Sequence, residues 1–289
     1  MNSNNKNQEL ISEYLAKHPF LQEIGQLPAA IDCILAEVHV DDFVLPEITG
    51  QLEDFKKGIP VLQHADIQAA IGKPVEIVLR ELVKGLLTVE IPDALKGFCR
   101  SLDEYLDKNA ATEMIGYVLC QESESIQSFS EKQGLNEKTV SYLVWHAVSC
   151  VVSPLVKQVS EWQQAEEQEN AWERNYCPVC GSLPSMAQLK KKNQGRERHL
   201  VCGNCSASWH YKRIGCINCN NEDLKKMSIL EIEAEPEMRL DVCDECHHYI
   251  KTYVNEGKEA VYLADWTTLH LDMQAQTEGL EKKGNNSLL

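Results

Sequence analysis

Apolar residues recur at three- and four-residue steps through the first 173 positions, the spacing that gathers one face of an α-helix. The longest such stripe runs from Val140 through Leu143, Val144, Val148, Val151, Leu155 and Val159 to Trp162. It predicts one long helix, capped by Asn136 and bent at Pro154. Shorter amphipathic segments are expected near 7–17, 28–39, 45–57, 65–88, 92–107 and 110–121, with breaks at Pro19, Pro28, Pro46, Pro60, Pro92 and Gly134. Period-two alternation is scarce here, so residues 1–173 read as an all-helical domain. The polar run 161–174 closes it, as a solvated helix tail or a linker.

The texture then changes. Short β-prone pieces at His199–Val201, Ser208–Lys212, Met227–Ile232 and Arg239–Val242 lie between turns rich in Gly and Asn. Among them sit four Cys-x-x-Cys pairs, Cys177/Cys180, Cys202/Cys205, Cys216/Cys219 and Cys243/Cys246, which hold eight of the chain's 12 cysteines. This spacing lets one tight turn aim two thiolates at a single ion, and two turns complete a tetrahedron. Taken in order, the pairs form two zinc-ribbon-like sets with slightly long loops. The predicted class is therefore α+β: a helical domain over 1–173, a first four-cysteine module over 174–214, and a second over 215–289 with a C-terminal extension. Each module is too small to fold on an apolar core of its own, so metal binding would supply folding energy.

Composition adds a compartment and a charge map. Hydrophobic content of 43% suffices for a core. The most apolar stretch, around Val148 to Val159, reads as too short to span a bilayer, and the N-terminus lacks the features of a signal peptide. The expectation is a cytoplasmic protein, where paired cysteines are more often metal ligands than disulfides. Net charge is −16, of which residues 1–170 carry −14. That field repels polyanions, so general nucleic-acid binding is disfavoured. A local exception is the stretch 190–213, with Lys190, Lys191, Lys192, Arg196, Arg198, Lys212 and Arg213 against Glu197 alone. It is expected at the tip of a ribbon hairpin, either as a solvated loop or as a docking patch.

The residues leave three uses open for the eight cysteines: closed structural sites, a redox or metal-transfer role, or disulfide exchange by a free pair. A closed four-thiolate shell has no position for substrate water, and no catalytic constellation is evident elsewhere. Gly181 and Asn220, each just after a pair, suit the left-handed turn that aims amides at sulfur. Asp244 and Glu245 inside the fourth pair would oppose thiolate charge unless a cation lies near. His210, His247 and His248 read as surface or supporting groups rather than ligands. Cys33, Cys99, Cys120 and Cys150 read as buried small hydrophobes.

The phrases YCPVCGSLP (176–184), GRERHLVCGNCSASWHYKRIGCINC (195–219) and RLDVCDECHHYIKTY (239–253) resemble the formate dehydrogenase accessory protein family, FdhE. The likeness is specific over 171–279 and rests on general character in the helical half. It implies a cytoplasmic, non-catalytic maturation factor that binds the catalytic subunit of formate dehydrogenase, a molybdenum or tungsten iron–sulfur enzyme, before export. It further implies rubredoxin-like metal sites at Cys177, Cys180, Cys202, Cys205, Cys216, Cys219, Cys243 and Cys246. Two ions are expected, with iron favoured by the resemblance and zinc equally suited to four thiolates. Family members often continue past the equivalent of Gly279 with an aromatic, proline-containing tail, which EKKGNNSLL does not match. The alternatives are a zinc-ribbon protein that binds nucleic acid through 190–213, and a thiol redox protein. The oligomeric state is not legible.

Overall fold

The computed structural model of the chain describes residue 12 and residues 15–16, 19–40, 45–165, 172–192, 195–233, 235–254 and 265–284. These form two compact units: residues up to Gln51 with Val61–Lys157, and Leu52–Pro60 with the chain from Gln158 onward. Most of the helix expected at 7–17, the centre of the polar run 161–174, and the last residues of the C-terminal tail lie outside the described residues.

The first unit is helical. It contains α1 (Gln22–Glu37), and the short helix α2 (Leu52–Lys56) that follows in sequence belongs to the second unit. Then come α3 (Ala65–Thr88), α4 (Asp93–Lys108), α5 (Thr112–Leu119), α6 (Ser123–Gln133) and α7 (Glu137–Ala165), whose residues from Gln158 on fall in the second unit. The centre is α3, whose Ile67, Ile71, Val75, Val78, Leu79 and Leu82 are fully buried at the expected helical spacing. Gly85 lets α1 approach closely, because a Cβ there would meet the Ile34 side chain at 2.7 Å. Asn136 caps α7 as expected, its Oδ1 accepting from the Thr139 backbone N–H at 3.0 Å. Gly134 ends α6 in a left-handed conformation, and the Leu135 N–H returns to the Ser130 carbonyl.

Three expectations change. Helix α1 runs through Pro28 rather than breaking there. Proline removes one helical hydrogen bond, and the burial of Leu21, Pro28 and Ile31 offsets that loss. Only Leu52–Lys56 of the segment 45–57 is α-helical, after a single 3-10 turn. Helix α7 is one long helix that contains Pro154, as expected, but over Glu137–Gln163 it is long and apolar enough to cross a membrane, whereas the apolar stretch read from sequence, around Val148 to Val159, is shorter. Within the protein 56% of that apolar window is buried, as a core helix would be.

The second unit is built on a seven-stranded sheet: β1 (Pro184–Lys192), β2 (Gly195–Cys202), β3 (Ser208–Tyr211), β4 (Met227–Glu231), β5 (Met238–Cys243), β6 (His248–Tyr253) and β7 (Glu281–Lys282). Their order is β3-β2-β1-β6-β5-β4, with β7 alongside β6. Neighbours pair antiparallel except at two places. There β1 runs parallel to β6, with Met186 opposite Lys251, and β6 runs parallel to β7, with His248 opposite Glu281. Helix α8 (Leu269–Thr277) sets Leu271 and Ala275 into a core with Met186, Leu240, Val242 and Tyr249. In α2, Phe55 packs against Trp162 and Trp172, with ring centroids 5.6 and 4.8 Å away. The strands therefore join both cysteine modules into one sheet.

Candidate metal centres

All four Cys-x-x-Cys pairs adopt the same turn. In the first, the Gly181 N–H returns to the Cys177 carbonyl at 2.9 Å, while the Val179 and Cys180 N–H groups point at Cys177 Sγ from 3.4 and 3.5 Å. The second repeats this with the Ser206 N–H on the Cys202 carbonyl, and the third with Asn220 on Cys216. The fourth uses His247 on Cys243. The turn needs positive φ at the residue after the second cysteine, and it is found at Gly181 (82°), Ser206 (60°), Asn220 (59°) and His247 (55°). Sequence patterns exposed the roles of Gly181 and Asn220 but not those of Ser206 and His247, whose residue types carry no strong backbone signal.

These turns bring the sulfurs together in two groups of four. Cys177, Cys180, Cys202 and Cys205 form one, and Cys216, Cys219, Cys243 and Cys246 the other, with all Sγ atoms of a group within 4.8 Å of each other. Cys177 Sγ is 3.4 Å from Cys205 Sγ, and Cys180 Sγ is 3.4 Å from Cys202 Sγ. In the second group Cys216–Cys246 and Cys219–Cys243 are 3.6 and 3.7 Å apart. Such separations are far too long for a disulfide. They are close to the edge of about 3.8 Å that follows from a tetrahedron with metal–sulfur bonds of about 2.3 Å. Either group could hold one divalent ion, and iron and zinc both suit the donor set.

Electrostatics point the same way. Burial pushes the Cys177 and Cys205 thiols well above the ordinary range, and Cys216 up to about 12. Burial works against Cys246 as well, but hydrogen bonds from the Asn218 side chain and the His248 backbone bring it down to about 6. In the second set these dipoles favour ionisation at Cys246, and in either set a bound cation would supply the charge that keeps four sulfurs ionised. The carboxylates within the fourth pair are compensated. Lys226 forms an ion pair with Glu245, and Ser228 donates to Asp244 at 3.0 Å.

The two groups differ in exposure. Cys177, Cys180, Cys202 and Cys205 are all buried, at 0–2%. In the second group Cys216 and Cys243 are buried, whereas Cys246 is half-buried and Cys219 exposed. Neither group includes a histidine. Instead His248 Nδ1 lies 2.7 Å from the Cys246 carbonyl, and the rings of His199 and His210 pack at 5.9 Å. Of the remaining cysteines, Cys99 is buried and Cys150 half-buried, but Cys33 and Cys120 are exposed rather than core residues.

The basic stretch 190–213 does lie on a hairpin, with Lys192 opposite Gly195. Most of its cations are engaged by internal partners. Arg198 is buried and donates to the carbonyls of Lys212 and Gly215, both at 2.9 Å, with its guanidinium over the Tyr211 ring. Lys192 pairs with Glu197, Lys212 with Glu222, and Arg196 donates to the Val254 carbonyl. A second charged cluster has no signature in the sequence. Fully buried Lys251 on β6 donates to Asp272 Oδ2 at 2.6 Å and lies 3.0 Å from Asp265. Tyr249 also donates to Asp272, and Lys282 to Asp265. The cluster ties α8 and β7 to the sheet.

Comparison with known proteins places these features. The family model for the FdhE central domain matches residues 176–213, and that for the FdhE C-terminal domain matches residues 214–289. A protein called FdhE homolog from Haemophilus influenzae (strain PittEE) is 28% identical over 191 residues, covering 64% of this chain and 59% of that protein. Its counterpart from Haemophilus ducreyi is 33% identical over 153 residues, covering 52% and 48%. The chain thus matches about half the length of these relatives. The crystal structure of the FdhE protein from Pseudomonas aeruginosa superposes with a TM-score of 0.67 over 100% of this chain and 97% of that one. At 20% sequence identity, that likeness speaks for the fold.

Proposed function

We propose that this chain, matched by the FdhE central and C-terminal family models over residues 176–289, is a cytoplasmic accessory protein for maturation and quality control of formate dehydrogenase. In this reading it has no turnover of its own and binds the enzyme's catalytic subunit, a molybdenum or tungsten iron–sulfur protein, before export. The observation that carries the proposal is the pair of four-cysteine groups on one shared sheet. Four sulfurs around an ion leave no open position for substrate, which suits a stapled binding platform better than a catalyst.

All eight cysteines, Cys177, Cys180, Cys202, Cys205, Cys216, Cys219, Cys243 and Cys246, serve as ligands in this reading, to iron in the native protein and to zinc where iron is scarce. The −14 carried by residues 1–170 would attract a basic leader on the partner. Nucleic acid is the weaker alternative, since Arg198, Lys192 and Lys212 already have internal partners. The test is formate-to-dye electron transfer in host extracts lacking this gene, with the catalytic subunit quantified alongside. Activity should vanish while the subunit is still made, and return on complementation. Unchanged activity in a host without a duplicate gene would overturn the proposal.

A further inference from the structure

Four thiolates can hold an ion permanently or pass it on. What decides is whether an incoming donor can reach the shell. The first group is sealed, with every cysteine at 0–2% exposure, and Cys180 lies against the buried Ser182, which in turn receives a hydrogen bond from buried Asn204. The second group is open on one edge, where Cys219 is exposed and Cys246 half-buried. Cys216 and Cys243 also line a small cleft. The cleft also carries Ser185 and Asn218, each with a buried side-chain oxygen that lacks a hydrogen-bond partner among the described residues. An unmatched buried acceptor costs free energy that an entering polar group would recover.

We propose that the group Cys216, Cys219, Cys243 and Cys246 is an exchangeable metal site, and that the group Cys177, Cys180, Cys202 and Cys205 is a fixed staple. This rests on the reading of the cysteines as metal ligands, not on the formate dehydrogenase role. The acceptor or donor is a thiol compound. Its sulfur bonds to the ion as the Cys219 sulfur–metal bond breaks, and the thiol proton passes to Cys219. No electrons move, so no oxidant or reductant is needed. Cys246 is the next ligand to be released, and Cys216 and Cys243, deeper in the fold, are last.

The full-length protein loaded with two Zn²⁺ tests this directly. A chromophoric chelator should draw off one equivalent about tenfold or more faster than the other. Under N-ethylmaleimide, peptide mass mapping should show Cys219 and Cys246 modified first and the first group last. The Cys219→Ser/Cys246→Ser variant should retain one equivalent, released at the slow rate of the parent. Release of both ions at one rate, or earlier alkylation of the first group, would overturn the assignment. So would a fast phase that survives in the double variant. Should that variant misfold, the alkylation order in the unaltered chain still decides. A sealed second site would leave the formate dehydrogenase reading standing, because that reading is measured in host extracts.

Discussion

At the scale of single residues, the metal knuckles are set by backbone conformation as much as by cysteine. Left-handed φ costs an L-residue about 1–2 kcal/mol, a penalty glycine avoids. Gly181 has φ of 82°, so Gly181→Ala should destabilise the metal-loaded protein by about 1–2 kcal/mol. Ser206, at 60°, already bears the strain, and Ser206→Gly should recover up to about 1 kcal/mol once the entropy of glycine is subtracted. Urea denaturation of both variants checks the pair. Equal effects of the two changes would mean the turn does not control stability. The asymmetry explains what could be read in advance. Glycine and asparagine advertise such turns, whereas serine and histidine occupy too many other conformations to do so.

A second residue has a pH signature. Asp32 on α1 has a buried carboxylate oxygen without a hydrogen-bond partner among the described residues, and burial pushes its carboxyl from 3.8 up to about 6. Tyr142 on α7, raised by its own burial and then by Asp32, is a titratable group close to it. The native state thus takes up this proton more readily than the unfolded chain. Ionised Asp32 destabilises above about pH 6, and the penalty fades as pH falls toward 3.8, where both states are protonated. Asp32→Asn should therefore stabilise the protein at pH 7.5, by at most about 3 kcal/mol. Below about pH 4 it should have little effect. Thermal unfolding across that range measures the difference, and a gain independent of pH would rule out the carboxylate as its source.

At the scale of elements, charged side chains hid strands that the sheet requires. Strand β1 ends in Lys190, Lys191 and Lys192, and β6 carries Lys251 between Ile250 and Thr252, so neither shows clean alternation. Helix α6 carries no strong sequence signal because SESIQSFSEKQ is polar, with Phe129 and Ser130 its buried residues. The long helix α7 and the four knuckles were legible because their signals are local: a sustained stripe, and two cysteines separated by two residues. Lys251 is invisible in sequence because its counter-charges, Asp265 and Asp272, arrive from α8 and from the helical residues 265–267 just before it. Its role predicts a large effect. Lys251→Met leaves two buried carboxylates short of a cation, which should cost about 3–5 kcal/mol. Adding Asp272→Asn should restore part of that loss, so the double variant must be less destabilised than the sum of the singles. Additive losses in denaturant titrations would show that the cluster does not act as a unit.

At the scale of the molecule, the parallel pairing of β1 with β6 decides how the two cysteine groups communicate. From sequence, 174–214 and 215–289 present as successive modules, because no local pattern announces that Met186–Gln188 will meet Lys251–Tyr253. Once that pairing forms, strands leading from both groups share one hydrogen-bonded ladder. Strand β2 ends at Cys202 and β5 at Cys243, with β1 and β6 between them. Arg198 adds a second tie, since it holds the carbonyls of Lys212 and Gly215 just ahead of Cys216. Loss of the first group should therefore be felt at the second. Cys177→Ser/Cys180→Ser should lower zinc stoichiometry by more than one equivalent and raise hydrogen exchange in β5 and β6, not only in β1 and β2. Helices α3 to α6 belong to the other compact unit and should keep their protection, so unfolding becomes a two-step process. If the variant retains one tightly held Zn²⁺ and an undisturbed β5–β6 pair, the groups are energetically separate despite their common sheet.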